Sequence, residues 1–312
     1  MTISTCKTCL TQGEHPTFRV REMMFGSGEY FHYMQCTHCQ TIQLLKEPED
    51  VEYYYPDDYY AYSPLILSNF QVNMIKRLRL KVFLRSDLEF LKPIYGEWMK
   101  LLDAKKTDRI ADIGCGNGQL LYELYASGYR HLDGYDPFIP EPVQVNKKVR
   151  LQRKGLEEVS GEYDVIMLHH TFEHLRNPRK AMEKIAQLLS PGGRCLLRMP
   201  VADAEVWEIY RENWVQLDAP RHFVIPSTKG IRILAAAFEL DLYNVVFDST
   251  EFQFWGSECY KDGISFVHEF TSDRFSRSDM KKYKEKAKEL NALGKGDQAC
   301  FYLSKPTSSK LK

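Results

Sequence analysis

The sequence carries no net charge and contains no long apolar run. Its 312 residues include 42 basic and 42 acidic side chains, which cancel. A chain without an overall positive field is not expected to attract nucleic acid or anionic lipid through its total charge, and only a local basic patch could do so. The longest apolar stretches have the length of buried strands and fall far short of the roughly 20 residues that cross a bilayer. We therefore expect no membrane span.

A secretory signal and a disulfide framework are also missing. The first ten residues, MTISTCKTCL, do not place an apolar segment after a basic one. This start predicts a cytoplasmic protein, and in a reducing compartment the 8 cysteines are not expected to form structural disulfides. Hydrophobic residues make up 44% of the chain and charged residues 27%, which predicts a globular protein rather than a disordered one.

Four of the cysteines form two Cys-x-x-Cys pairs near the N-terminus. Cys6 pairs with Cys9 and Cys36 with Cys39, and 26 residues separate the pairs. Four thiolates suit tetrahedral zinc, and a short polar region needs such a cross-link to fold. A redox pair would normally lie in a thioredoxin-like βαβ unit, which this region lacks. The spacing predicts a structural zinc site, because a catalytic zinc keeps one position open for water or substrate.

Composition divides the chain into three segments. Residues 1–45 are predicted to form a zinc-binding domain, and residues 46–105, rich in tyrosine and then helical, a linker or lid. Residues 106–305 alternate short apolar runs with helical runs, which is typical of an α/β fold with a parallel sheet. Residues 255–297 look like a polar, mostly helical insertion. Strands are expected at 109–113, 131–136, 149–153, 163–168, 194–199, 243–248 and 299–304.

A glycine-rich turn follows the first of these strands. Gly114, Gly116 and Gly118 alternate with other residues, so the backbone can turn tightly and approach a ligand without Cβ atoms in the way. The helix beginning near Gln119 points its N-terminal N–H groups toward that ligand. A dinucleotide site would space its glycines G-x-G-x-x-G, whereas the spacing here is G-x-G-x-G. An ordinary strand–helix turn is the alternative interpretation.

Asp136 ends the second of these strands, 24 residues beyond Asp112. A carboxylate at that place can accept hydrogen bonds from both hydroxyls of a ribose, as it does in dinucleotide folds. Asp136 could instead cap the following turn, since Asp-Pro commonly opens one. Together the glycine turn and Asp136 favour an adenosine-type ligand.

Four motifs in the right order resemble the class I superfamily of methyltransferases that use S-adenosylmethionine (SAM). They read ADIGCGNGQLL, GYDP, EYDVIMLHHTFEHL and LLSPGGRCLLRMP. The resemblance implies a Rossmann-like sheet of seven mostly parallel strands with the final strand antiparallel. The N-terminal cysteine pairs and the segments YYPDDYYAYS and DAPRHFVIPS are similar to those of bacterial methyltransferases that carry an N-terminal zinc-binding domain and act on sugars or surface metabolites.

The resemblance also implies cofactor contacts. The three glycines should line the methionine and adenosine side of SAM, and Asp136 should hold the ribose hydroxyls. Phe138 packs beside the adenine or is a core aromatic, and His169 borders the methionine group or fills the strand–helix turn. From the tyrosine-rich segment, Tyr59 and Tyr60 are expected at the cofactor, since aromatic faces attract a sulfonium cation.

Methyl transfer to a hydroxyl or an acidic carbon requires a base, and histidine suits that role near neutral pH. His222, in the proline-bounded loop DAPRHFVIP, is preferred because related sugar methyltransferases place a histidine there by the acceptor. His174, paired with Glu173 at the start of a helix, is next. The structural alternatives are a hydrogen-bonded pair at a helix start and a loop scaffold.

The proposed reaction is therefore in-line methyl transfer to a small acceptor, such as a nucleotide sugar or glycan precursor. Three other functions stay open. A nicotinamide-dependent sugar oxidoreductase or epimerase shares the fold but needs the other glycine spacing. An RNA- or protein-directed methyltransferase is disfavoured for RNA by the balanced charge. A non-catalytic SAM-binding protein is possible because a fold does not fix function.

Overall fold

The computed structural model describes residues 2–55, 64–86, 88–139, 141–266 and 274–307. Within those ranges, no helix combines the length and the apolar character that crossing a bilayer requires. The strands are β1 (Thr2–Thr5), β2 (Gln12–His15), β3 (Thr17–Arg21), β4 (Tyr30–Gln35), β5 (Ile42–Leu44), β6 (Arg109–Ile113), β7 (His131–Tyr135), β8 (Val143–Asn146), β9 (Val149–Gln152), β10 (Tyr163–His169), β11 (Leu189–Pro200), β12 (Val224–Ile225), β13 (Asp241–Phe247) and β14 (Gln298–Ser304). The α-helices are α1 (Phe70–Ser86), α2 (Gly96–Leu101), α3 (Gln119–Ala126), α4 (Pro178–Leu188), α5 (Glu205–Tyr210), α6 (Thr228–Ala237), α7 (Phe252–Lys261) and α8 (Arg277–Ala292).

The centre of the molecule is a mixed sheet of eight strands in the order β13-β14-β11-β10-β6-β7-β9-β8. Neighbours from β11 across to β9 pair in parallel. β14 is antiparallel to both β11 and β13, as expected for the final strand. The α/β Rossmann-like fold with a mostly parallel sheet is therefore confirmed.

The predicted count of seven strands is wrong, because β8 adds an eighth strand at one edge. β8 pairs antiparallel with β9 as a hairpin, Gln144 lying opposite Arg150. Only the tight turn around Lys147 and Lys148 separates the two strands. No strand was predicted for the segment VQVN, a run of only four residues that follows glutamate and proline.

Helices cover both faces of the sheet, and alternation along each strand explains how. On β10, Ile166 and Leu168 join the apolar cluster that includes α4 and α6. The intervening Val165 and Met167 point the other way, into a cluster that includes α1, α2 and α3. Because successive side chains of a strand face opposite sides, a continuous apolar run such as VIML is needed for a strand buried on both faces.

The N-terminal cysteine-rich region shares a sheet with the C-terminal part of the chain. The strands β3, β4 and β5 form an antiparallel sheet whose fourth member is β12. Tyr33 donates from its hydroxyl to the backbone oxygen of His222 at 3.0 Å. The same apolar cluster contains Tyr33 and Ile42 together with Phe254 of α7 and Leu290 of α8. The expected boundaries at 45, 105 and around 255–297 stay predictions, and these contacts cross them.

Candidate active site

The glycine-rich turn directly follows β6, and its backbone adopts conformations that suit glycine. Gly114, Gly116 and Gly118 have φ values of +75°, +51° and +80°. A Cβ atom on Gly114 would overlap the Thr171 hydroxyl, and one on Gly118 would lie 2.8 Å from Leu151. The turn therefore needs glycine both for its left-handed backbone and for its close neighbours.

Asp136 connects this turn to the end of β7. One of its carboxylate oxygens accepts a hydrogen bond from the Gly116 N–H, and the other accepts from the Phe138 N–H, both at 2.9 Å. Burial raises the pKa of Asp136 above its usual value. Each carboxylate oxygen has two lone pairs, so both oxygens can accept further bonds from a ligand.

A cavity of about 360 Å³ opens beside the turn. Gly114, Gly116, Asp136, Phe138 and His169 all line it. Gly118 is not among its lining residues and packs against Leu151 instead. The structure thus brings five of the predicted cofactor residues to one cavity at the carboxyl ends of parallel strands, where ligands of open α/β sheets bind.

Aromatic side chains form part of the wall of this cavity. Phe138 stacks on Tyr55 with ring centroids 5.0 Å apart and an interplanar angle of 20°. Tyr59 and Tyr60 lie outside the described residues, so their predicted cofactor contact stays a prediction. Tyr55 was not among the predicted cofactor residues, because spacing alone does not distinguish it from the other tyrosines of the segment YYPDDYYAYS.

One carboxyl group and one imidazole near the turn, those of Asp112 and His169, have strongly shifted pKa values. Burial, followed by the negative charge of Asp136, raises the pKa of Asp112 to about 8. Asp112 Oδ1 is buried and has no hydrogen-bond partner among the described residues. Burial, with the nearby Arg198 and His170, lowers the pKa of His169 to about 3. His169 is therefore neutral near pH 7, and the Asp112 carboxyl is mostly protonated there; a positive charge nearby would favour its ionised form.

A second cavity, of about 530 Å³, adjoins the first, because His170 and His174 line both. Its lining residues come from distant parts of the chain and include amide side chains, ion-paired side chains and aromatic rings. The other lining residues are Met24, Phe25, Arg198, Val215, Gln216, Asp218, Arg221, His222, Thr250, Phe252, Gln253, Asp297 and Gln298. A ligand here would sit next to one held in the first cavity.

The three predicted catalytic residues lie together at the junction of the two cavities. One donor atom each from Glu173, His174 and His222 lies within 4.8 Å of the other two, a set that could also hold a metal ion. The rings of His174 and His222 are 4.7 Å apart and nearly perpendicular. Glu173 is fully buried, and neither of its oxygens has a hydrogen-bond partner among the described residues. His170 Nδ1 lies 3.4 Å from Glu173 Oε1.

The hydrogen bond at Nδ1 of His222 determines which of its ring nitrogens can accept a proton. His222 Nδ1 lies 2.7 Å from the backbone oxygen of Gln216. A carbonyl oxygen only accepts, so Nδ1 carries the proton and Nε2 keeps its lone pair. His222 Nε2 lies 3.7 Å from Asp218 Oδ2, a carboxylate that would stabilise a protonated ring. A ring held in this way can accept a proton at Nε2, with the Asp218 carboxylate beside it.

The surroundings of His174 and Asp218 lower the pKa of both groups, but for different reasons. Burial, followed by the nearby His222, lowers the pKa of His174 to about 4. His174 Nδ1 lies 2.9 Å from the backbone oxygen of Arg221 and 3.1 Å from the Tyr55 hydroxyl. Asp218 forms a buried ion pair with the Arg221 guanidinium, and this positive charge outweighs burial and lowers the pKa of Asp218. The sequence analysis did not select Asp218 or His170 as site residues, although Asp218 lies within the quoted DAPRHF motif and His170 directly follows His169.

The four cysteines of the N-terminal pairs converge in a separate cluster. The Sγ atoms of Cys6 and Cys39 are 3.6 Å apart, as are those of Cys9 and Cys36. A tetrahedron with zinc–sulfur bonds of about 2.3 Å places its sulfurs about 3.8 Å apart. All four sulfurs lie within 4.8 Å of one another, and none forms a disulfide. The donor set and its spacing fit a tetrahedral metal ion.

A family profile for methyltransferase domains matches residues 84–245, just over half of the chain. The chain belongs to this methyltransferase family. The predicted superfamily is confirmed, whereas the narrower resemblance to sugar methyltransferases with a zinc domain stays a prediction. The match begins within α1 and ends within β13, so it covers the glycine turn and the three clustered catalytic candidates.

Curated relatives match a shorter part of the chain. The tRNA U34 carboxymethyltransferase of Helicobacter acinonychis (strain Sheeba) is 25% identical over 134 residues, covering 39% of this chain and 51% of that protein. The ubiquinone biosynthesis O-methyltransferase of Dechloromonas aromatica (strain RCB) is 29% identical over 122 residues, covering 35% and 52%. This chain thus spans about half the length of the curated relatives it matches.

Solved structures with a similar arrangement share little sequence with this chain. An S-adenosylmethionine-dependent methyltransferase from Mesorhizobium loti has a TM-score of 0.44 and 12% identity, covering 68% of this chain and 97% of that chain. The O-methyltransferase of a trans-AT PKS multienzyme of Brevibacillus brevis, in complex with S-adenosyl-L-homocysteine, has a TM-score of 0.42 and 14% identity, covering 73% and 79%.

Proposed function

We propose that the protein transfers the methyl group of SAM to a small polar acceptor, with SAM in the cavity of about 360 Å³ and the acceptor in the cavity of about 530 Å³. One observation carries the proposal: the two cavities share His170 and His174, so their occupants would be neighbours. Methyl transfer is an in-line displacement whose rate depends strongly on positioning the acceptor against the methyl carbon.

The residues of the first cavity suit each part of the cofactor. Asp136 would accept from the ribose hydroxyls while it holds the turn through Gly116. Phe138 would lie against the adenine, backed by Tyr55. Asp136 would balance the cofactor's positive charge, and that charge would favour ionisation of the buried Asp112 behind the turn. When bound, SAM supplies an electrophilic methyl group on a positively charged sulfur.

The residues of the second cavity would hold the acceptor and take its proton. His222 Nε2 would take the proton of an acceptor hydroxyl whose oxygen receives the methyl group, the carbon–sulfur bond breaking to release S-adenosylhomocysteine, while Gln216 fixes the ring through Nδ1. Asp218 stabilises the imidazolium that forms. Glu173 and His174 position His222 through ring packing and charge.

The lining of the second cavity favours an acceptor rich in hydroxyl groups, such as a nucleotide sugar or glycan precursor. Gln253 Oε1 is buried with no donor among the described residues, so an acceptor hydroxyl could donate to it. Gln216, Gln253 and Gln298 offer amides, and the aromatic ring of Phe252 offers a face for a sugar ring. The lining cations Arg198 and Arg221 are paired with acids, so this cavity suits the sugar part of such an acceptor better than its phosphate groups.

The acceptor class is tested with SAM carrying a labelled methyl group. Purified protein is incubated with nucleotide sugars, glycan precursors, tRNA and a small phenol, each in parallel. Label transfer to a nucleotide sugar or glycan precursor that is lost in His222→Gln supports the proposal. Transfer to tRNA or the phenol alone rejects the sugar acceptor, and transfer to none with SAM bound favours a non-catalytic SAM-binding protein.

We propose that the four clustered cysteines hold a structural zinc ion. The cluster packs on the N-terminus of α6, where the Ser227 hydroxyl donates to the backbone oxygen of Cys39 and Lys229 Nζ donates to that of His38 at 2.6 Å. The positive φ of Leu10 and Gln40, each directly after a Cys-x-x-Cys pair, forms two matching turns. Elemental analysis of protein purified without chelator should give one zinc per chain, which Cys39→Ser loses and Cys195→Ser keeps. Absence of zinc from the unmodified protein would reject the site.

A further inference from the structure

The first half of α1 exposes all of its large apolar side chains. Phe70 is 72% exposed, Ile75 65% and Leu78 63%, and Val72 and Met74 are also exposed. Phe70, Met74 and Leu78 are spaced by four residues, which places them on one face of the helix. Ile66 and Leu67, just before the helix, extend this apolar surface. We call the exposed apolar side chains between Ile66 and Leu78 the α1 face.

Positive charge surrounds the α1 face. Helix α1 contains five basic residues, Lys76, Arg77, Arg79, Lys81 and Arg85, and no acidic one. Only Lys76 is paired with a carboxylate among the described residues, through Glu123 at 2.6 Å. Burial lowers the pKa of Lys106, and the charges of Arg77 and Lys81 lower it further, which shows that the local field is positive. The balanced total charge of the chain hides this patch.

The second half of α1 anchors the helix to the body of the protein. Leu80 and Phe83 are buried in the cluster that includes Met99 and Leu124. Gln119, the first residue of α3, exchanges hydrogen bonds with the backbone of Ile66 at 2.8 and 3.1 Å. The α1 face is therefore held in place at both ends, and one end is attached to the helix that follows the glycine turn.

We propose that the α1 face docks on an anionic lipid bilayer. An exposed apolar stripe with Lys and Arg beside it and no acid matches the pattern by which helices lie at a membrane surface, the apolar side chains entering the acyl boundary and the cations contacting anionic headgroups. Nucleic acid offers the negative charge but no apolar layer for Phe70 and Ile75. A second copy offers the apolar face, but a two-fold pair would bring two sets of five cations together.

The test measures sedimentation of the full chain with vesicles. We expect binding to phosphatidylcholine vesicles that contain phosphatidylglycerol, little binding to phosphatidylcholine alone, and a decline as salt is raised. The variants Phe70→Ser/Met74→Ser and Lys81→Gln/Arg85→Gln should each lower the partition coefficient about tenfold or more. The control Lys281→Gln/Lys282→Gln, on the exposed and lysine-rich α8, should bind like the unmodified protein.

Other outcomes decide against the proposal. No binding to anionic vesicles, or equal loss in the α8 control, overturns it. A concentration-dependent dimer that Phe70→Ser/Met74→Ser abolishes, without vesicle binding, assigns the face to a second copy instead. Because all substituted side chains are exposed, SAM affinity should be unchanged in every variant, which verifies folding and keeps this test independent of the proposed acceptor.

Discussion

The two cavities of the candidate active site are built in opposite ways. The cofactor cavity is organised around backbone: a glycine turn, its N–H groups and a carboxylate that holds them come from two short segments at residues 113–117 and 135–138, and other segments complete the wall. The acceptor cavity depends on side chains from six separated regions, between Met24 and Gln298. A backbone site suits a cofactor common to a family, whereas a site of side chains can change its acceptor with few substitutions.

The largest expected effect comes from breaking the backbone cavity. In Gly114→Ala the added Cβ meets the Thr171 hydroxyl, so the turn must move, and SAM affinity should fall about a hundredfold or more, equivalent to about 3 kcal/mol. Titration calorimetry measures it. Gly263→Ala is the matched control, since its φ is +76° but no atom lies within 4 Å of the new Cβ. Equal affinity in the two variants would show that the turn does not hold the cofactor.

Substituting the proposed base of the acceptor cavity should lower kcat and leave the affinity for SAM unchanged. His222→Gln removes the Nε2 lone pair, and we expect kcat to fall about 10²- to 10⁴-fold, the usual contribution of a general base. Steady-state kinetics with the accepted substrate, together with SAM calorimetry, separate the two effects. His131→Gln, an exposed histidine at the opposite end of β7, serves as the control. Undiminished turnover in His222→Gln would remove the base from the account.

A smaller effect is expected from His174, at the junction of the cavities, which should make the free energy of unfolding depend on pH. The folded-state pKa of His174 is about 4, whereas an unfolded histidine titrates near 6.5, so between these values the unfolded chain takes up a proton that the folded chain does not. The free energy of unfolding therefore falls as pH is lowered from about 6.5 to 4, by at most about 3 kcal/mol from this residue.

His174→Gln should remove that part of the decline. Urea unfolding at several pH values measures it, and His131→Gln again provides the comparison. An identical slope against pH in His174→Gln and the unmodified protein would mean that burial of His174 does not disfavour its charged form.

The contrast between the cavities also explains how far the sequence could be interpreted. Gly114, Gly116 and Asp136 follow strands whose apolar runs are visible in the sequence, and the carboxyl ends of neighbouring parallel strands must meet. Their position next to a predicted strand is therefore enough to identify them as candidate site residues. The family match then confirms the superfamily to which these motifs point.

The second cavity could be predicted only in part, because its residues meet through long-range packing. His222 was chosen by resemblance and His174 by its place at a helix start, but nothing in the sequence shows that Gln216 fixes the His222 ring or that Asp218 lies beside it. Pairing of β12 with β5, across almost 200 residues, is equally invisible to local patterns. The edge strand β8 was missed because the alternation of apolar and polar residues in VQVN extends over only four residues, too few to predict a strand.

A crystal structure with S-adenosylhomocysteine tests the central claim, that the backbone cavity holds the cofactor beside the histidine junction. The account predicts the ribose hydroxyls on Asp136, the adenine against Phe138, and the sulfur facing the space between His170 and His174. Density for the ligand in another cavity, or no binding at saturating concentration, would contradict it.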